Sequence, residues 1–277
     1  TSMDAVTKSF RGRKHGCPLG KARFCFFGSG KLVMESLIRL NKYLSAAGLC
    51  SRREADRWIS EGRVFVDGIK AVLGQQISSK QQVICDGKPV ELRKEPVLLA
   101  FHKPVGIECT TASDIPDNIV DYINYPTRIF PIGRLDKNSS GLILMTNQGE
   151  LSDQILRGSN YHEKEYRVTV SHPITREFLE AMGNGVEIEL DDGKRRVTTR
   201  PCFIEAESKN TFRIILTQGL NRQIRRMCEA LGNKVVTLKR IRIINICLGN
   251  LAEGYYRHIS EGELRKLRKE LEKTYAQ

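Results

Sequence analysis

A polar loop that leads directly into an apolar run holds the residue types best suited to chemistry in this sequence. The loop spans 130–141, reads FPIGRLDKNSSG and is followed by the apolar run 142–145. An unbroken apolar run is typical of a strand buried on both faces, so the loop would rest on a rigid platform. Arg134 and Asp136 lie two residues apart in it. Asp136 could act as a nucleophile or stabilise charge, although an aspartate in such a loop can also cap a turn.

A helix predicted at 221–231 offers Asp136 a cationic partner. Its apolar stripe comprises Ile224, Met227, Cys228 and Leu231. Arg225 lies about 100° round the helix from Ile224 and so borders the buried face, whereas Arg222 and Arg226 point outward. A carboxylate in a dry pocket needs a cation beside it to stay ionised, and Arg225 is the candidate.

The residue sets of several common enzyme classes are absent from the sequence. It contains no GxxxxGK[ST] phosphate loop, no GxSxG nucleophile motif and no HExxH zinc motif. The eight cysteines form no CxxC pair and the five histidines show no ligand spacing. We therefore predict no metal site and no cofactor, and expect the reduced cysteines of a cytoplasmic protein.

The charge of the chain indicates a polyanionic partner. Its 277 residues carry 45 Lys and Arg against 32 Asp and Glu, a net charge of +13. Such an excess favours nucleic acid as the partner. No stretch reaches the roughly 18 apolar residues of a membrane span, so no membrane association is expected. Residues 1–35 hold 7 basic and 2 acidic residues and residues 36–94 hold 11 and 6, so most of the excess lies in the first third.

Patterning divides the chain into three parts. Residues 1–35 lack any helix or strand period, and we expect a disordered or expression-derived tail there. Residues 36–94 form a small αβ module, and residues 95–277 form a larger domain with a mixed, mostly antiparallel sheet, so the fold class is α+β. In the larger domain, strands are predicted at 97–102, 141–146, 163–170, 195–205, 211–217 and parts of 234–248, and helices at 148–157, 175–183, 221–231 and 259–272.

The module at 36–94 begins with two short helices. One apolar helix stripe is formed by Leu40, Tyr43, Leu44 and Ala47. Gly48 would end this helix, and the capping box SRRE at 51–54 would begin the next. Two Asp-Gly pairs beside β-prone runs predict hairpins. The helices carry five cations away from the apolar stripe, namely Arg39, Lys42, Arg52, Arg53 and Arg57.

The stretch LNKYLSAAGLCSRREADRWISEGRVFVDG resembles the S4 domain, a small RNA-binding module found in a ribosomal protein and in several RNA-modifying enzymes. The resemblance covers most of 38–85 and depends on the RxxKYL and SRREA features. It implies that the five cations form an RNA-binding face.

Four further segments resemble, in order, the motifs of the pseudouridine synthase family that includes RsuA, RluB, RluE and RluF. GRLDKNSSGL at 133–142 is similar to the family's catalytic GRLDxx[ST]xGL motif, and HKPVG at 102–106 to its [NH]KPxG motif. EKEYRV at 163–168 resembles KxYxV, and 213–227 contains the family's GxxRQ[IV]RRM. The resemblance covers 36–260, and KPVGIECTT, DNIVDYIN and HEKEYRVTV are most similar to RluF-type members.

The resemblance implies that uridine in RNA is converted to pseudouridine. The N1–C1′ bond breaks, the uracil rotates and the base rejoins the ribose through C5, with neither metal nor cofactor. It makes Asp136 the catalytic carboxylate, which attacks C1′, attacks C6 or removes a proton. Arg225 would pair with Asp136, and Tyr166 would stack on the flipped uracil and take the C5 proton.

Other cations have supporting roles under this interpretation. Arg134 would fill the space left by the flipped base or hold its phosphate, and Lys103 would support the pocket. Arg222 and Arg226 would either contact RNA phosphates or simply be solvated. The basic run 239–242 would add further contacts to the RNA backbone.

We expect a monomer whose substrate is large-subunit (23S) ribosomal RNA, with a tRNA uridine as an open second substrate. A small-subunit (16S) target is the nearest alternative. A rival from another class is an S4-type RNA-binding or ribosome assembly factor whose synthase domain is catalytically idle. An S4-bearing methyltransferase or tRNA synthetase is disfavoured by the missing nucleotide loops. The presence of Asp136, Tyr166 and Arg225 favours the enzyme.

Overall fold

The computed structural model describes residues 37–92, 95–112, 114–157, 161–190 and 193–273. They form two compact units, which divide after Glu91 except that Ala46–Leu49 group with the second unit. The tail predicted at 1–35 lies outside the described residues. No helix in these ranges combines the length and the apolar character needed to cross a membrane.

The described part of the first unit contains two helices and six short strands. In chain order they are β1 (Ile38–Arg39), α1 (Leu40–Ala46), α2 (Arg52–Ser60), β2 (Val64–Val66), β3 (Ile69–Lys70), β4 (Gln76–Ile77), β5 (Val83–Cys85) and β6 (Lys88–Pro89). Four strands form an antiparallel sheet in the order β3-β2-β5-β6, and β1 pairs with β4.

Local signals in the sequence explain these elements. The Ser51 hydroxyl accepts a hydrogen bond from the Glu54 N–H at 3.1 Å, which confirms the predicted cap of α2. Both residues of the Asp67–Gly68 pair have positive φ, as a two-residue hairpin turn with the correct twist requires. Arg39 differs from the prediction, because it lies in β1, paired with Gln76, rather than on a helix.

The second unit is larger. In chain order its elements are β7 (Leu98–Lys103), α3 (Ile119–Ile123), β8 (Phe130–Ile132), β9 (Ser140–Thr146), α4 (Gly149–Leu156), β10 (Lys164–Val170), α5 (Arg176–Asn184), β11 (Glu187–Leu190), β12 (Arg195–Thr198), β13 (Phe203–Ala206), β14 (Thr211–Leu216), α6 (Gln223–Ala230), β15 (Val235–Ile243), β16 (Ile246–Cys247), β17 (Tyr256–His258) and α7 (Glu261–Lys273). The four predicted helices are confirmed as α4 to α7, with ends that differ by one or two residues.

A nine-stranded sheet organises this unit. Its order is β13-β14-β10-β15-β9-β7-β17, with β16 beside β15 and β8 beside β9. Within the described residues every pair in it is antiparallel except β15 with β9. The predicted α+β class with a mostly antiparallel sheet is therefore confirmed.

Strand β9 passes through the centre of this part of the core. Leu142 and Leu144 pack into one hydrophobic cluster, together with residues of α4 and α7. Ile143 and Met145 pack into another, together with residues of β7 and α3. All four side chains are fully buried, which confirms the prediction of a strand covered on both faces.

Two predictions about element boundaries are wrong. The strand predicted at 195–205 is two strands, β12 and β13, which belong to different sheets. Pro201 lies between them, and a proline offers no N–H to continue a ladder. The start of the predicted loop 130–141 is the strand β8, which pairs with β9. The irregular segment is therefore only 133–139, here called the Asp136 loop.

Candidate active site

Four residues on neighbouring strands form a row beneath the Asp136 loop. Across β7, β9, β15 and β10, the backbone partners are Lys103, Gly141, Arg240 and Tyr166 in that order. Residues directly opposite each other in a sheet project to the same face. The side chains of Lys103, Arg240 and Tyr166 therefore share the face on which Gly141 leaves a gap.

Only glycine fits at position 141. Its φ is +109°, and a Cβ placed there would lie 2.3 Å from the carbonyl oxygen of Arg240. Such a contact would push β9 and β15 apart at one of the two positions where they pair. The glycine of the GRLDxx[ST]xGL motif thus permits the close approach of the two strands.

Two buried arginines hold the backbone of the Asp136 loop. Arg240 is 3% exposed and donates from Nε to the carbonyl of Leu142 at 2.7 Å. Its Nη1 donates to the carbonyl of Arg134 at 3.5 Å. Arg225 is 8% exposed and donates from Nη2 to the carbonyl of Asn138 at 2.9 Å. The two guanidinium groups together fix the start and the end of the loop and the strand that follows it.

Lys103 adds a third cation under the loop. Its Nζ is buried and donates to the carbonyls of Pro104 at 2.7 Å, Ile107 at 2.8 Å and Lys137 at 3.5 Å. Burial lowers the pKa of Lys103, while the charge of Asp136 acts in the opposite direction. The ammonium group thus ties the backbone after Asp136 to the segment after β7.

The Asp136 carboxylate lies between two guanidinium groups. Its Oδ2 is 3.8 Å from Arg225 Nε and 4.0 Å from Arg222 Nη1. About one third of the Asp136 side chain is exposed, and no hydrogen bond links its carboxylate to another described residue. Arg225 Nε is likewise buried without a hydrogen-bond partner in the described structure. Catalytic hydrogen bonds often shorten when substrate binds, so these distances are compatible with a working carboxylate–guanidinium pair.

The electrostatics of this pair depend on burial. Burial and the neighbouring charge of Arg222 lower the pKa of Arg225, whereas the charge of Asp136 raises it. Asp136 therefore supplies the counter-charge that the buried guanidinium requires.

Arg222 and Arg226 differ from the prediction that both point outward. Arg222 precedes α6 with a left-handed backbone (φ 51°), and this conformation brings its guanidinium to Asp136. Arg226 donates to the carbonyl of Glu189 and, at 3.4 Å, to Asn221 Oδ1. Its guanidinium is thus bound to β11 of the same unit.

Tyr166 and Arg134 complete the neighbourhood of Asp136. The half-buried Tyr166 ring packs against the hydrophobic cluster that includes Leu135, the residue before Asp136. The Arg134 side chain is exposed and has no hydrogen bond or ion pair with any described residue. The structure therefore brings Tyr166, Arg225, Arg222, Arg134 and Lys103 to the Asp136 loop.

A groove of about 510 Å³ continues from this site along the start of β15. The loop residue Asn138, Arg222 and Arg225 belong to its wall, and Glu229 and Lys234 lie further along it. The groove therefore extends the surface around Asp136 towards Lys234.

The five predicted RNA-binding cations all lie in the first unit. Arg52, Arg53 and Arg57 are exposed on α2, Lys42 is half-buried on α1 and Arg39 is exposed in β1. Arg57 forms ion pairs with Glu54 and Glu61.

Sequence reasoning misjudged Arg240. The run 239–242 was expected to contact RNA, yet the Arg240 side chain is buried and bound to the loop. A signal was available, since Arg240 has the same strand parity as the inward-facing Leu238.

Comparison with known proteins agrees with this geometry. The family model described as RNA pseudouridylate synthase matches residues 97–230, and the S4 domain model matches residues 38–83. The dual-specificity RNA pseudouridine synthase RluF of Escherichia coli O6:H1 is 48% identical over 88% of this chain and 82% of that protein. Ribosomal large subunit pseudouridine synthase B of Bacillus subtilis is 36% identical over 83% of this chain and 95% of that protein. A crystal structure of a pseudouridylate synthase, 29% identical, aligns with a TM-score of 0.61 over 83% of this chain and 99% of that one.

An S4 domain followed by a sheet domain of this kind defines an RNA-modifying enzyme. The chain belongs to the RNA pseudouridine synthase family, as its motifs predict. Its reaction is the isomerisation of uridine in RNA to pseudouridine, and the idle-domain alternative is set aside.

Proposed function

We propose that this enzyme isomerises a uridine of large-subunit ribosomal RNA, and also one of a tRNA, with Asp136 as the catalytic carboxylate. The main supporting observation is the Asp136 carboxylate between Arg222 and Arg225, with no hydrogen bond to any residue that the structure describes. Similarity to a dual-specificity synthase and to a large-subunit synthase supports the two substrate classes. A 16S target is the less supported alternative.

The target uridine must first leave its stack, which costs a few kcal/mol. The free side chain of Arg134, two residues from Asp136, is suited to the space that the base vacates. Arg222 and Lys234 line the groove beyond Asp136 and are suited to the flanking phosphates. Cations of the S4 unit add affinity that is independent of the chemical step.

The reaction then proceeds around one carboxylate. As the N1–C1′ bond breaks, the uracil takes up negative charge and C1′ becomes electron-poor. Asp136 stabilises the ribose carbon, and attack at C1′, attack at C6 and proton removal to give a glycal all use this same group. The base turns, C5 bonds to C1′, the C5 proton leaves and N1 gains a proton. We assign to Tyr166 the stacking on the uracil during the turn and the removal of the C5 proton.

Arg225 is the charge partner of Asp136 in this scheme. The buried guanidinium also fixes the loop at Asn138, so the same side chain pairs with the carboxylate and positions the loop that carries it. We propose that the enzyme works in the cytoplasm. We also propose that it is a monomer, because one chain supplies every group of the site. Light scattering after size exclusion tests the monomer.

Substitution of Asp136 tests the proposal directly. In cells that lack the gene, pseudouridine mapping of rRNA and tRNA should show the loss of specific sites, which wild-type protein restores. Asp136→Asn should restore none, while it binds RNA with nearly unchanged affinity. Asp153→Asn, a charge-matched change at an exposed position of α4, should restore all of them. Restoration by Asp136→Asn would refute the catalytic assignment of Asp136. If the lost sites were confined to 16S RNA, the proposed large-subunit and tRNA substrates would be refuted.

A further inference from the structure

We infer that Arg240 is a positioning residue of the active site, which holds the Asp136 loop in register with the strand that carries Tyr166. The inference rests on the proposed role of Asp136 and adds a requirement that the family motifs of this chain do not contain.

The contacts of Arg240 span the loop. Its Nε donates to the carbonyl of Leu142, just after the loop, at 2.7 Å. Its Nη1 donates to the carbonyl of Arg134, near the start of the loop, at 3.5 Å. Because the guanidinium is planar and rigid, the separation of these two carbonyls is fixed by one side chain. Asp136 lies between them in the chain.

The position of Arg240 in the sheet gives these contacts a second consequence. Strand β9 follows the Asp136 loop, whereas Tyr166 lies on β10, and β15 is the strand between them. β15 and β9 pair at only two positions, Lys239 with Ser140 and Arg240 with Gly141. Within the described chain, this is the only strand pairing that joins the Asp136 side of the sheet to the Tyr166 side. The hydrogen bonds of the Arg240 side chain reinforce this junction.

The charge of Arg240 is not needed for packing. Arg242, on β15, forms ion pairs with Glu163 and Glu165. Arg257, on β17, forms an ion pair with Glu263. Arg240 is more deeply buried, yet no carboxylate of the described residues pairs with it, and its Nη2 has no partner there. A buried cation without a counter-ion is costly, so a stabilising role alone would be better served by an apolar side chain.

The surroundings of Arg240 are positive. Burial and the charge of Arg240 lower the pKa of the nearby Lys164 to about 8. Cations concentrated beneath the loop favour anionic groups above it, namely the Asp136 carboxylate and the uracil as it leaves C1′. Arg240 thus contributes both position and charge.

Three variants of the full-length enzyme test the inference. Arg240→Met removes the hydrogen bonds and the charge, and Arg240→Lys keeps the charge but can reach only one of the two carbonyls. Arg257→Lys is the control, since it makes the same exchange in an ion pair at the far edge of the same sheet. The measurements are the single-turnover rate at saturating stem-loop RNA, the RNA Kd and the thermal midpoint.

We expect about a 100-fold loss of the single-turnover rate for Arg240→Met, because small displacements of reacting groups have effects of this size. Arg240→Lys should recover part of that loss, RNA Kd should change by no more than about two-fold, and Arg257→Lys should keep the wild-type rate. A purely structural role would lower the thermal midpoint but leave the rate per RNA-binding-competent molecule unchanged.

Wild-type rates per competent molecule for both Arg240 variants, with Asp136→Asn inactive, would overturn this inference and leave the proposed function intact. An active Asp136→Asn would instead remove the proposed function. If Arg240→Met fails to fold, Arg240→Lys decides the matter, because its rate either falls below that of Arg257→Lys or equals it.

Discussion

Asp136 and Arg225 face each other with 3.8 Å between carboxylate Oδ2 and guanidinium Nε, and neither atom has a hydrogen bond within the described structure. Arg225 meanwhile donates from Nη2 to the carbonyl of Asn138, two residues after Asp136. The arginine is therefore anchored through one nitrogen while another remains free to approach the carboxylate. Substrate binding can shorten this pair without rebuilding the loop.

Replacement of Arg225 by lysine should separate charge from geometry. The ammonium retains a cation but cannot contact both Asn138 and Asp136, so we expect about a 100-fold slower single turnover with similar RNA affinity. A quench-flow assay of pseudouridine formation measures this. Arg176→Lys, an exposed ion-paired arginine on α5, is the matched control. Equal rates for both variants would contradict the prediction.

Gly141→Ala should damage stability and activity together. The added methyl group would meet the carbonyl of Arg240 at 2.3 Å, at a backbone φ of +109° that disfavours any side chain. We expect a loss of about 3 kcal/mol in the free energy of unfolding, together with slower turnover. Chemical denaturation measures the first effect. Gly262→Ala in α7 meets nothing within 4 Å and should stabilise slightly, and a destabilised control would show that the assay reports something else.

Lys164 should impose a recognisable pH dependence on stability. Its pKa in the folded protein is about 8, against an ordinary 10.5, so between these values the unfolded chain binds more protons than the folded one. Stability from this group therefore rises as the pH increases from about 8 to about 10.5. The thermal midpoint of Lys164→Met, relative to wild type, should be highest below pH 8 and lose this advantage above it.

Lys266→Met is the control for that measurement, because Lys266 is exposed on α7. Its midpoint should run parallel to that of the wild type across the same pH range. Parallel curves for Lys164→Met as well would show that Lys164 has no lowered pKa.

The exposed arginines of α2 should govern affinity rather than chemistry. Arg52→Ala with Arg53→Ala removes two cations, so the slope of log K against log salt should become about one to two units shallower. The single-turnover rate at saturating RNA should remain that of the wild type. Lys70→Ala with Lys88→Ala removes the same charge from the hairpins of the unit, and we expect a smaller change. Equal slopes for the two double variants would remove α2 from the binding face.

Local patterns predicted most of the site. Asp136, Tyr166 and Arg225 follow from short motifs, because each lies on an element whose type is set by neighbours in sequence. The cap of α2 and the burial of β9 on both faces were predicted for the same reason.

The wrong predictions concern residues whose placement depends on segments distant in the chain or on a single backbone angle. The direction of Arg222 depends on its left-handed backbone, which helical periodicity does not reveal. The role of Arg240 depends on the register of β15 against β9, two strands far apart in the chain. The short strand β8 was missed because only its pairing with β9 makes it a strand.

The two-residue pairing of β15 with β9 divides the sheet into two parts that share only a short junction. The Asp136 loop leads into one part and Tyr166 lies in the other, so their relative placement depends on these two paired positions. Mild heating or a low concentration of denaturant should therefore reduce activity while each part of the sheet keeps its secondary structure. The enzyme would lose the alignment of its catalytic groups before it unfolds.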